Sequence, residues 1–273
     1  MASEQHPSRA LGHALALGLM HGPAELLPIS SSAHIALVPY LLGWKQEGDD
    51  ELEKAFEVAL HAGTAAALLI VLRGEVADSM RNFSPRLLAV ISLATIPPAA
   101  IGFGLERPIE RYLGTPATIA IGMIAGGAAM AWADRSAQER SHEEATAADG
   151  FWLGIGQAAA LFPGLSRNGS TLTAARHRRF KRADAEYLSR HVALPVIAGA
   201  TLLKCLRLAQ RGLPEGAAGP FAVGVGASFL STLGSTGLIT FMEADRPLAP
   251  ISAYRIALGG TVLRRLRRQR HGL

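Results

Sequence analysis

Long apolar segments that lack Asp, Glu, Lys and Arg recur along this chain of 273 residues. The uncharged stretches cover residues 26–44, 87–105, 117–133, 150–166 and 216–242. A helix needs about 20 mostly apolar residues to cross a bilayer, whereas a surface helix of a soluble protein normally shows a polar face. The pattern therefore predicts an all-α polytopic membrane protein and disfavours a soluble helical enzyme with buried helices.

The same pattern divides the predicted single membrane domain into two halves. Residues 1–133 form the first half, residues 134–149 a polar linker, and residues 150–273 the second half. Each half is predicted to begin with a broken, re-entrant helix pair, near residues 10–43 and 150–175. About six spans are expected, near residues 55–72, 87–105, 117–133, 190–208, 219–242 and 250–266. Three spans per half is an odd number, so the two halves should form inverted repeats.

Composition and charge narrow the class further. Apolar residues make up 49% of the chain and charged residues only 18%, as expected for a membrane protein. The formal net charge is +5, but aromatic residues are only 6%. Because a nucleic-acid surface needs basic patches with aromatic platforms, no nucleic-acid partner is expected. The single cysteine, Cys205, excludes an internal disulfide, and the basic residues are too evenly distributed to set the orientation.

Two polar motifs interrupt the apolar pattern at matching places in the two halves. The first covers residues 25–34 (ELLPISSSAH) and the second residues 163–171 (PGLSRNGST). Each contains Pro-x-x-Ser, and the two copies are 135 residues apart. Polar groups at membrane depth are costly and usually functional, and irregular backbone is tolerated there only inside the protein. Paired broken segments of this kind predict a site at the interface of the two halves.

The second motif has the composition of a phosphate cradle. Gly169 lets the backbone come close to a ligand, and Arg167 carries a planar fork that matches phosphate oxygens. The candidate phosphate-binding residues are Ser166, Arg167, Asn168, Gly169, Ser170 and Thr171, together with Ser30 from the first motif. The alternative is that Arg167 only braces the fold by pairing with a carboxylate, for which Glu25 is the natural partner.

The first motif supplies groups for acid–base and nucleophilic chemistry. Glu25 is a candidate general base or metal ligand, and His21 lies one helical turn before it on the same face. Ser31 is the favoured nucleophile, and His34 is a candidate to activate a serine or protonate a leaving group. The alternatives are structural: membrane serines often bond neighbouring helices, and a lone histidine is often a buried residue with satisfied hydrogen bonds.

Together the two motifs hold the parts for phosphoryl transfer on a lipid. A guanidinium and hydroxyls would hold the phosphate, a serine or a water would attack it, and the carboxylate and imidazoles would move protons. Phosphoryl transfer depends mostly on such positioning and charge stabilisation. A substrate that reaches this site from within the membrane would carry an apolar tail.

Both motifs resemble those of the undecaprenyl-pyrophosphate phosphatase family, also called the bacitracin-resistance protein family. The family pattern E-G-x-T-E-F-L-P-[IV]-S-S-[TS]-[GA]-H is matched by H-G-P-A-E-L-L-P-I-S-S-S-A-H over residues 21–34. The pattern P-G-x-S-R-S-G-x-T is matched by residues 163–171, with Asn168 in place of the middle serine. Shorter signatures at residues 62–64, 94–97 and 254–256 agree, so the likeness extends over nearly the whole chain.

The resemblance implies a multi-pass protein of the bacterial inner membrane. It implies that the terminal phosphate is removed from undecaprenyl pyrophosphate, a polyprenyl pyrophosphate lipid, so that the lipid carrier of peptidoglycan synthesis is recycled and the cell resists bacitracin. It further implies a supporting divalent cation, Mg²⁺ or Ca²⁺, and the sequence leaves open whether the protein is a homodimer. The positions that match the family's functional residues are Glu25, Ser31, His34, Ser166, Arg167 and Thr171.

The chain departs from the family at the first motif glutamate, which is His21 here, and at Ala24, where the family has threonine. One of two acidic groups is thus replaced by an imidazole. Either His21 and Glu25 hold the metal, or His21 takes over proton transfer. Two other functions stay open: translocation or binding of a polyprenyl phosphate without hydrolysis, and hydrolysis of another lipid pyrophosphate.

Overall fold

The computed structural model describes residues 7–44, 50–81, 84–213 and 216–270, and these ranges contain helices and connections but no β-strand. The α-helices are, in chain order, α1 (Pro7–Leu26), α2 (Ser31–Leu42), α3 (Asp50–Val71), α4 (Arg73–Arg81), α5 (Pro85–Leu113), α6 (Pro116–Ala133), α7 (Ala147–Ala159), α8 (Arg167–His177), α9 (Arg182–Arg211), α10 (Ala218–Gly234), α11 (Gly237–Glu243) and α12 (Ala249–Arg270). A short 3₁₀ turn, His142–Glu144, precedes α7.

Several of these helices are long and apolar enough to cross a bilayer. They are Leu52–Val71 within α3, Pro85–Leu105 within α5, α6 as a whole, and Arg182–Gln210 within α9. α10 and α11 meet the same test as a pair bent by 49°. The chain is therefore an all-α polytopic membrane protein, as the sequence predicts. The sixth predicted span falls in α12, which carries arginines near its C-terminal end, and its crossing of the membrane stays a prediction.

The first helix of each broken pair packs against a helix from the other half of the chain. α1 lies along α10, and α7 lies along α5. Glycines permit both contacts: a Cβ on Gly22 would lie 2.5 Å from the backbone N of Thr232, and one on Gly150 would lie 2.6 Å from the carbonyl O of Val90. Small residues at helix interfaces allow such close backbone approach in membranes. The two halves are thus interlocked, and their inverted orientation stays a prediction.

Two buried apolar clusters fix the helices that begin at the motifs. Leu153, Leu172 and Leu188 are almost fully buried and join α7, α8 and α9. Leu37 and Met123 are fully buried and join α2 to α6. Because α8 and α2 are held by these clusters along their length, their first turns have fixed positions relative to each other.

The predicted polar linker is anchored to the second half by two buried carboxylates. Asp149 accepts hydrogen bonds from Arg140, at 2.9 and 2.7 Å, and from Arg178 at 2.7 Å. Asp134 accepts one from Nε of Arg182 at 2.8 Å. Burial alone would raise the pKa of Asp149, but the hydrogen bonds from Arg140, Arg178 and Thr146 outweigh burial and hold that pKa well below its usual range.

Candidate active site

Each broken segment turns back at a serine with a left-handed backbone. Ser30 (φ 73°) stands between α1 and α2, and Ser166 (φ 66°) stands between α7 and α8. Each side chain caps the helix that follows: Oγ of Ser30 accepts from the amide of Ala33 at 3.4 Å, and Oγ of Ser166 from the amide of Gly169 at 3.2 Å. A positive φ is uncommon and strained for residues other than glycine, and such residues cluster at functional sites.

The structural match of the two turns differs by one residue from the match of the sequence motifs. Pro-x-x-Ser aligns Ser31 with Ser166, whereas the capping geometry makes Ser30 the counterpart of Ser166. Ser31 and Arg167 are consequently equivalent, as the first residues of α2 and α8. The capping serine follows Pro28 by two positions in the first turn but follows Pro163 by three positions in the second. The motif alignment is therefore wrong by one position.

Glu25, near the C-terminal end of α1, joins the two motifs. Its Oε1 accepts a hydrogen bond from Nη2 of Arg167, and its Oε2 accepts one from Oγ of Ser31 at 2.5 Å. The Glu25 side chain is only 8% exposed, so the ion pair with Arg167 is largely shielded from solvent. The structure thereby brings three of the predicted site residues into direct contact where the broken segments meet.

A cavity of about 140 Å³ lies beside this carboxylate. Polar side chains from both motifs line it, among them Glu25, Ser30, Ser31, Ser166, Arg167 and Asn168. A water molecule occupies about 30 Å³ in the liquid, so the cavity has room for a group of several non-hydrogen atoms, such as a phosphate. Its lining combines one guanidinium, one carboxylate and several hydroxyls, which is the donor-rich environment that a phosphate requires.

A smaller cavity, of about 50 Å³, shares Glu25, Arg167 and Asn168 with the first and extends to Glu186 and Ser189. Asn168 is fixed there, because its Oδ1 accepts from Oγ of Ser189 at 2.9 Å. The Glu25–Arg167 ion pair therefore lines both cavities.

Several predicted phosphate ligands do not line either cavity. Thr171 is fully buried, donates to the carbonyl of Arg167 at 3.0 Å and lies 2.5 Å from Oγ of Ser189. Ser170 lies 3.5 Å from the carbonyl O of Leu165. These side chains follow the capping serine by four and five residues, on a face of α8 turned toward packed helices. In the structure, their contacts stabilise α8.

His34 is also placed away from Glu25. Its Nδ1 lies 2.7 Å from the carbonyl O of Ser30, and its Nε2 lies 2.6 Å from the hydroxyl of Tyr254. His34 is nearly fully buried and is absent from the lining of the cavity beside Glu25. Because both ring nitrogens have partners, the contacts of His34 hold the Ser30 turn against α12.

Arg255, on α12, is a site residue that the chemistry of the motifs does not reveal. This fully buried guanidinium donates from Nη1 to the carbonyl of Pro28 at 3.2 Å, and from Nη2 to the carbonyls of Gly164 and Leu165 at 3.1 and 2.6 Å. One side chain therefore ties together the backbones of both broken segments. A signal was present in the sequence, because an arginine within a predicted span is costly unless it has a task.

Two histidines complete the surroundings of Glu25. His21 is fully buried, and its Nδ1 lies 2.8 Å from Oγ1 of Thr64 on α3. Nε2 of His61, also on α3, lies 3.7 Å from Oε2 of Glu25. One ligand atom each from His21, Glu25 and His61 lies within 4.8 Å of the others, so these residues are able to hold a metal ion. His61 was not predicted, although a histidine inside an apolar span is itself a signal of function.

Comparisons with known proteins show what the chain is similar to. The family model described as "Bacitracin resistance protein BacA" matches residues 14–261. A protein named undecaprenyl-diphosphatase from Geobacter sulfurreducens is 37% identical over 264 residues, which cover 92% of this chain and 96% of the relative. Proteins of the same name from Trichlorobacter lovleyi (38% over 261 residues, 90% and 94% covered) and Pelotomaculum thermopropionicum (34% over 258 residues, 92% and 94% covered) are also similar.

Proposed function

Because the chain belongs to the family of the bacitracin resistance protein BacA, we propose that it is an undecaprenyl-diphosphatase. It hydrolyses undecaprenyl pyrophosphate to undecaprenyl phosphate and inorganic phosphate. The enzyme is a multi-pass membrane protein whose substrate is a lipid. We further infer that the enzyme lies in the bacterial inner membrane, where its product is the lipid carrier of peptidoglycan synthesis and its activity gives resistance to bacitracin.

The observation that carries the proposal is the short contact between Ser31 and Glu25. A hydroxyl that donates to a carboxylate at 2.5 Å has a base within reach of its proton. This pair lines a cavity into which Arg167 also points. Nucleophile, base and a fixed cation therefore surround one space that is large enough for a phosphate.

In the proposed first step, Oγ of Ser31 attacks the terminal phosphorus of the pyrophosphate while Glu25 takes the hydroxyl proton. The bond from that phosphorus to the bridging oxygen breaks, and the lipid monophosphate leaves with the electron pair. Water then attacks the phosphoserine, the bond from phosphorus to Oγ of Ser31 breaks, and Glu25 returns its proton to that Oγ. Inorganic phosphate leaves with both protons of the attacking water. Direct attack by a water that Glu25 activates is the competing route. Only the route through Ser31 forms a phosphoserine, so trapping that intermediate distinguishes the two.

Arg167 supports the proposed step by charge. A guanidinium has five N–H donors, and only Nη2 of Arg167 is engaged with Glu25. Nε is buried without a partner among the described residues, so the donors of Nη1 remain for phosphate oxygens in the cavity, where Ser166 and Asn168 stand beside them. Fixed donors aimed at developing charge make a large contribution to phosphoryl transfer.

The leaving group explains why His34 need not be an acid. The departing lipid phosphate is a phosphate monoester, whose second pKa is about 6, so it leaves at neutral pH without taking a proton. The contacts of His34 with Ser30 and Tyr254 instead position the turn that carries Ser31. We therefore assign His34 a positioning role in the proposed reaction.

No observation favours a translocator or binder without hydrolysis, because the Ser31–Glu25 pair of a hydrolase is in place. The proposed partners are the polyprenyl pyrophosphate lipid and the bilayer, without nucleic acid. Whether the enzyme works as a homodimer is testable by light scattering of the protein in detergent.

The proposal is tested by measuring phosphate release from undecaprenyl pyrophosphate with the purified protein in detergent. Wild type should release phosphate, and Ser31→Ala and Glu25→Gln should each lose about 100-fold or more in rate. Ser136→Ala, in the linker, is the matched control and should retain full activity. A rapid quench with substrate labelled in its terminal phosphate should trap a phosphoserine at Ser31. A fully active wild type without any trapped phosphoserine would favour direct attack by water. An inactive wild type would overturn the proposal.

A further inference from the structure

The cluster around Glu25 has the composition of a metal site. His21 and Glu25 are one turn apart on α1, and His61 approaches them from α3, so two packed helices provide the three side chains. Their ligand atoms lie within 4.8 Å of one another. Two ligands of one transition-metal ion lie no more than about 4 Å apart, since each bond is about 2.1 Å long. Side-chain movements of about 1 Å or less would therefore close the cluster around an ion.

Hydrogen bonds orient His61 as a metal ligand is oriented. Its Nδ1 lies 2.9 Å from the carbonyl O of Glu57, which can only accept, so Nδ1 carries the proton. The other ring nitrogen, Nε2, faces Glu25 and is the atom that would bind a metal ion. Ligating histidines in proteins almost always bond through the other nitrogen to a carbonyl or carboxylate in this way. His61 and Glu25 also line the larger cavity, which gives an ion a route to the cluster.

His21 has the second unused nitrogen of the cluster. Its Nδ1 is engaged with Thr64, whose hydroxyl is in turn 3.2 Å from that of Thr232. Nε2 of His21 is buried and has no hydrogen-bond partner among the described residues. A buried polar atom without a partner is costly in a protein interior, and a metal ion would satisfy it.

The ligand atoms discriminate between metals. Mg²⁺ and Ca²⁺ bind oxygen ligands, whereas this cluster offers two imidazole nitrogens and one carboxylate. Such donor sets suit the divalent transition ions, which bind imidazole well, and two histidines with one glutamate form a known catalytic zinc site. The Mg²⁺ or Ca²⁺ expected from the family fits poorly, because the chain has His21 where the family has its second carboxylate.

We propose that His21, Glu25 and His61 form a binding site for a divalent transition ion, of the series from Fe²⁺ to Zn²⁺, in preference to Mg²⁺ and Ca²⁺. The site would hold the ion next to Ser31, which shares Oε2 of Glu25 with the cluster. When bound there, the ion would add positive charge beside the phosphate. The inference concerns binding alone and does not depend on the proposed hydrolysis.

The test is a metal titration of the full-length protein, purified in detergent and stripped with a chelator. Co²⁺ and Zn²⁺ are the probes: Co²⁺ should give d–d absorption bands of a low-coordinate site, and Zn²⁺ should displace it at one equivalent. His61→Ala and His21→Ala should each weaken Zn²⁺ binding by at least about tenfold. His21→Glu should lose the preference for Zn²⁺ over Mg²⁺ and should bind Mg²⁺ more tightly than the wild type does. His177→Ala, an exposed histidine outside the cluster, is the matched control and should bind as wild type.

The folding of each variant is checked by thermal unfolding. If the alanine variants fail to fold, His21→Glu and His61→Gln replace them in the metal titration. Equal or tighter binding of Mg²⁺ than of Zn²⁺ by the wild type would overturn the inference. Unchanged Zn²⁺ binding in every folded cluster variant would mean an adventitious ion only. Phosphate release is measured in parallel: hydrolysis that survives complete removal of a bound transition ion leaves the phosphatase proposal intact, whereas a protein that binds Zn²⁺ at this site without hydrolysing the lipid contradicts only the proposed function.

Discussion

Ser31 and Arg167 donate hydrogen bonds to the two oxygens of one carboxylate, that of Glu25. They are the first residues of α2 and α8, and each follows a capping serine with a left-handed backbone. The same turn in each half of the chain thus presents a different side chain to Glu25: a hydroxyl in the first and a guanidinium in the second. This division gives the two related motifs complementary roles in one site.

The fork of Arg167 should be needed for turnover. Lysine would keep the positive charge but lose the planar set of donors that binds Glu25 and that, in the proposed reaction, would also bind phosphate. We expect Arg167→Lys to reduce kcat by about 100-fold or more, with little change in the unfolding temperature in detergent. Arg81→Lys, in an exposed ion pair with Asp78, is the control. Near-normal turnover in Arg167→Lys would mean that the arginine only braces the fold.

A positioning role for His34 predicts a specific pattern of rescue. His34→Ala should lose activity, because the Ser30 turn loses its contacts, whereas His34→Gln should restore part of it by keeping polar atoms near Ser30 and Tyr254. The shape of the pH–rate profile should be the same in His34→Gln as in the wild type. Loss of one limb of that profile in the variant would instead identify His34 as a proton donor or acceptor. Tyr254→Phe tests the second contact and should reduce the rate by about tenfold or less.

Arg255 should contribute mainly to stability. Its removal would leave the carbonyls of Pro28, Gly164 and Leu165 without this partner, and a hydrogen bond to a charged group is worth about 1.5–3 kcal/mol. We expect Arg255→Met to lower the free energy of unfolding by at least about 2 kcal/mol, measured by thermal or denaturant unfolding in detergent. Arg264→Met, an exposed arginine on the same helix, should have almost no effect. Equal stabilities of the two variants would show that Arg255 does not tie the broken segments together.

The sequence predicts the elements of this fold well where local signals are strong. The span expected at residues 117–133 corresponds to α6, because Thr115 caps the helix and Pro116 stands at its first position. The two broken segments were also expected, since Pro, Gly and Ser interrupt otherwise apolar runs. Local sequence does not reveal that α1 and α7 cross to helices of the other half, because those contacts depend on packing between segments far apart in the chain.

The candidate site was predictable in composition but not in detail. Glu25, Ser31 and Arg167 carry reactive groups in unusual surroundings, so their types alone identify them. His61 and Arg255 were missed because their roles depend on which neighbours they meet in three dimensions. Ser31 was paired incorrectly with Ser166, because backbone conformation, rather than residue type, makes Ser30 the counterpart of Ser166.

Asp149 should make stability depend on pH. Its pKa in the folded protein lies below the usual value of about 3.9, so the unfolded chain binds the proton more readily. The stabilising contribution is fully present above about pH 5 and is lost progressively as the pH falls from there through the folded-state pKa. We expect the unfolding temperature of the wild type to fall between about pH 5 and pH 3, and that of Asp149→Asn to be lower at pH 7 and less dependent on pH. Asp78→Asn, in an exposed ion pair, should follow the wild type. Parallel pH curves for wild type and Asp149→Asn would refute this assignment.

His21 is where the chain departs from the family motif, and its replacement tests what that departure does. If the imidazole has taken over the function of the family's glutamate, His21→Ala should lose at least about tenfold in phosphate release. His21→Glu should retain activity but depend on Mg²⁺, since it restores the second carboxylate and oxygen ligands suit that ion. The measurement is phosphate release from undecaprenyl pyrophosphate across a series of divalent ions, with His13→Ala on the same helix as the control. An inert wild type combined with an active His21→Glu would describe the natural protein as a binder or translocator of the lipid. Equal rates in all three proteins would show that position 21 lies outside the reacting site and would confine the catalytic groups to Glu25, Ser31 and Arg167.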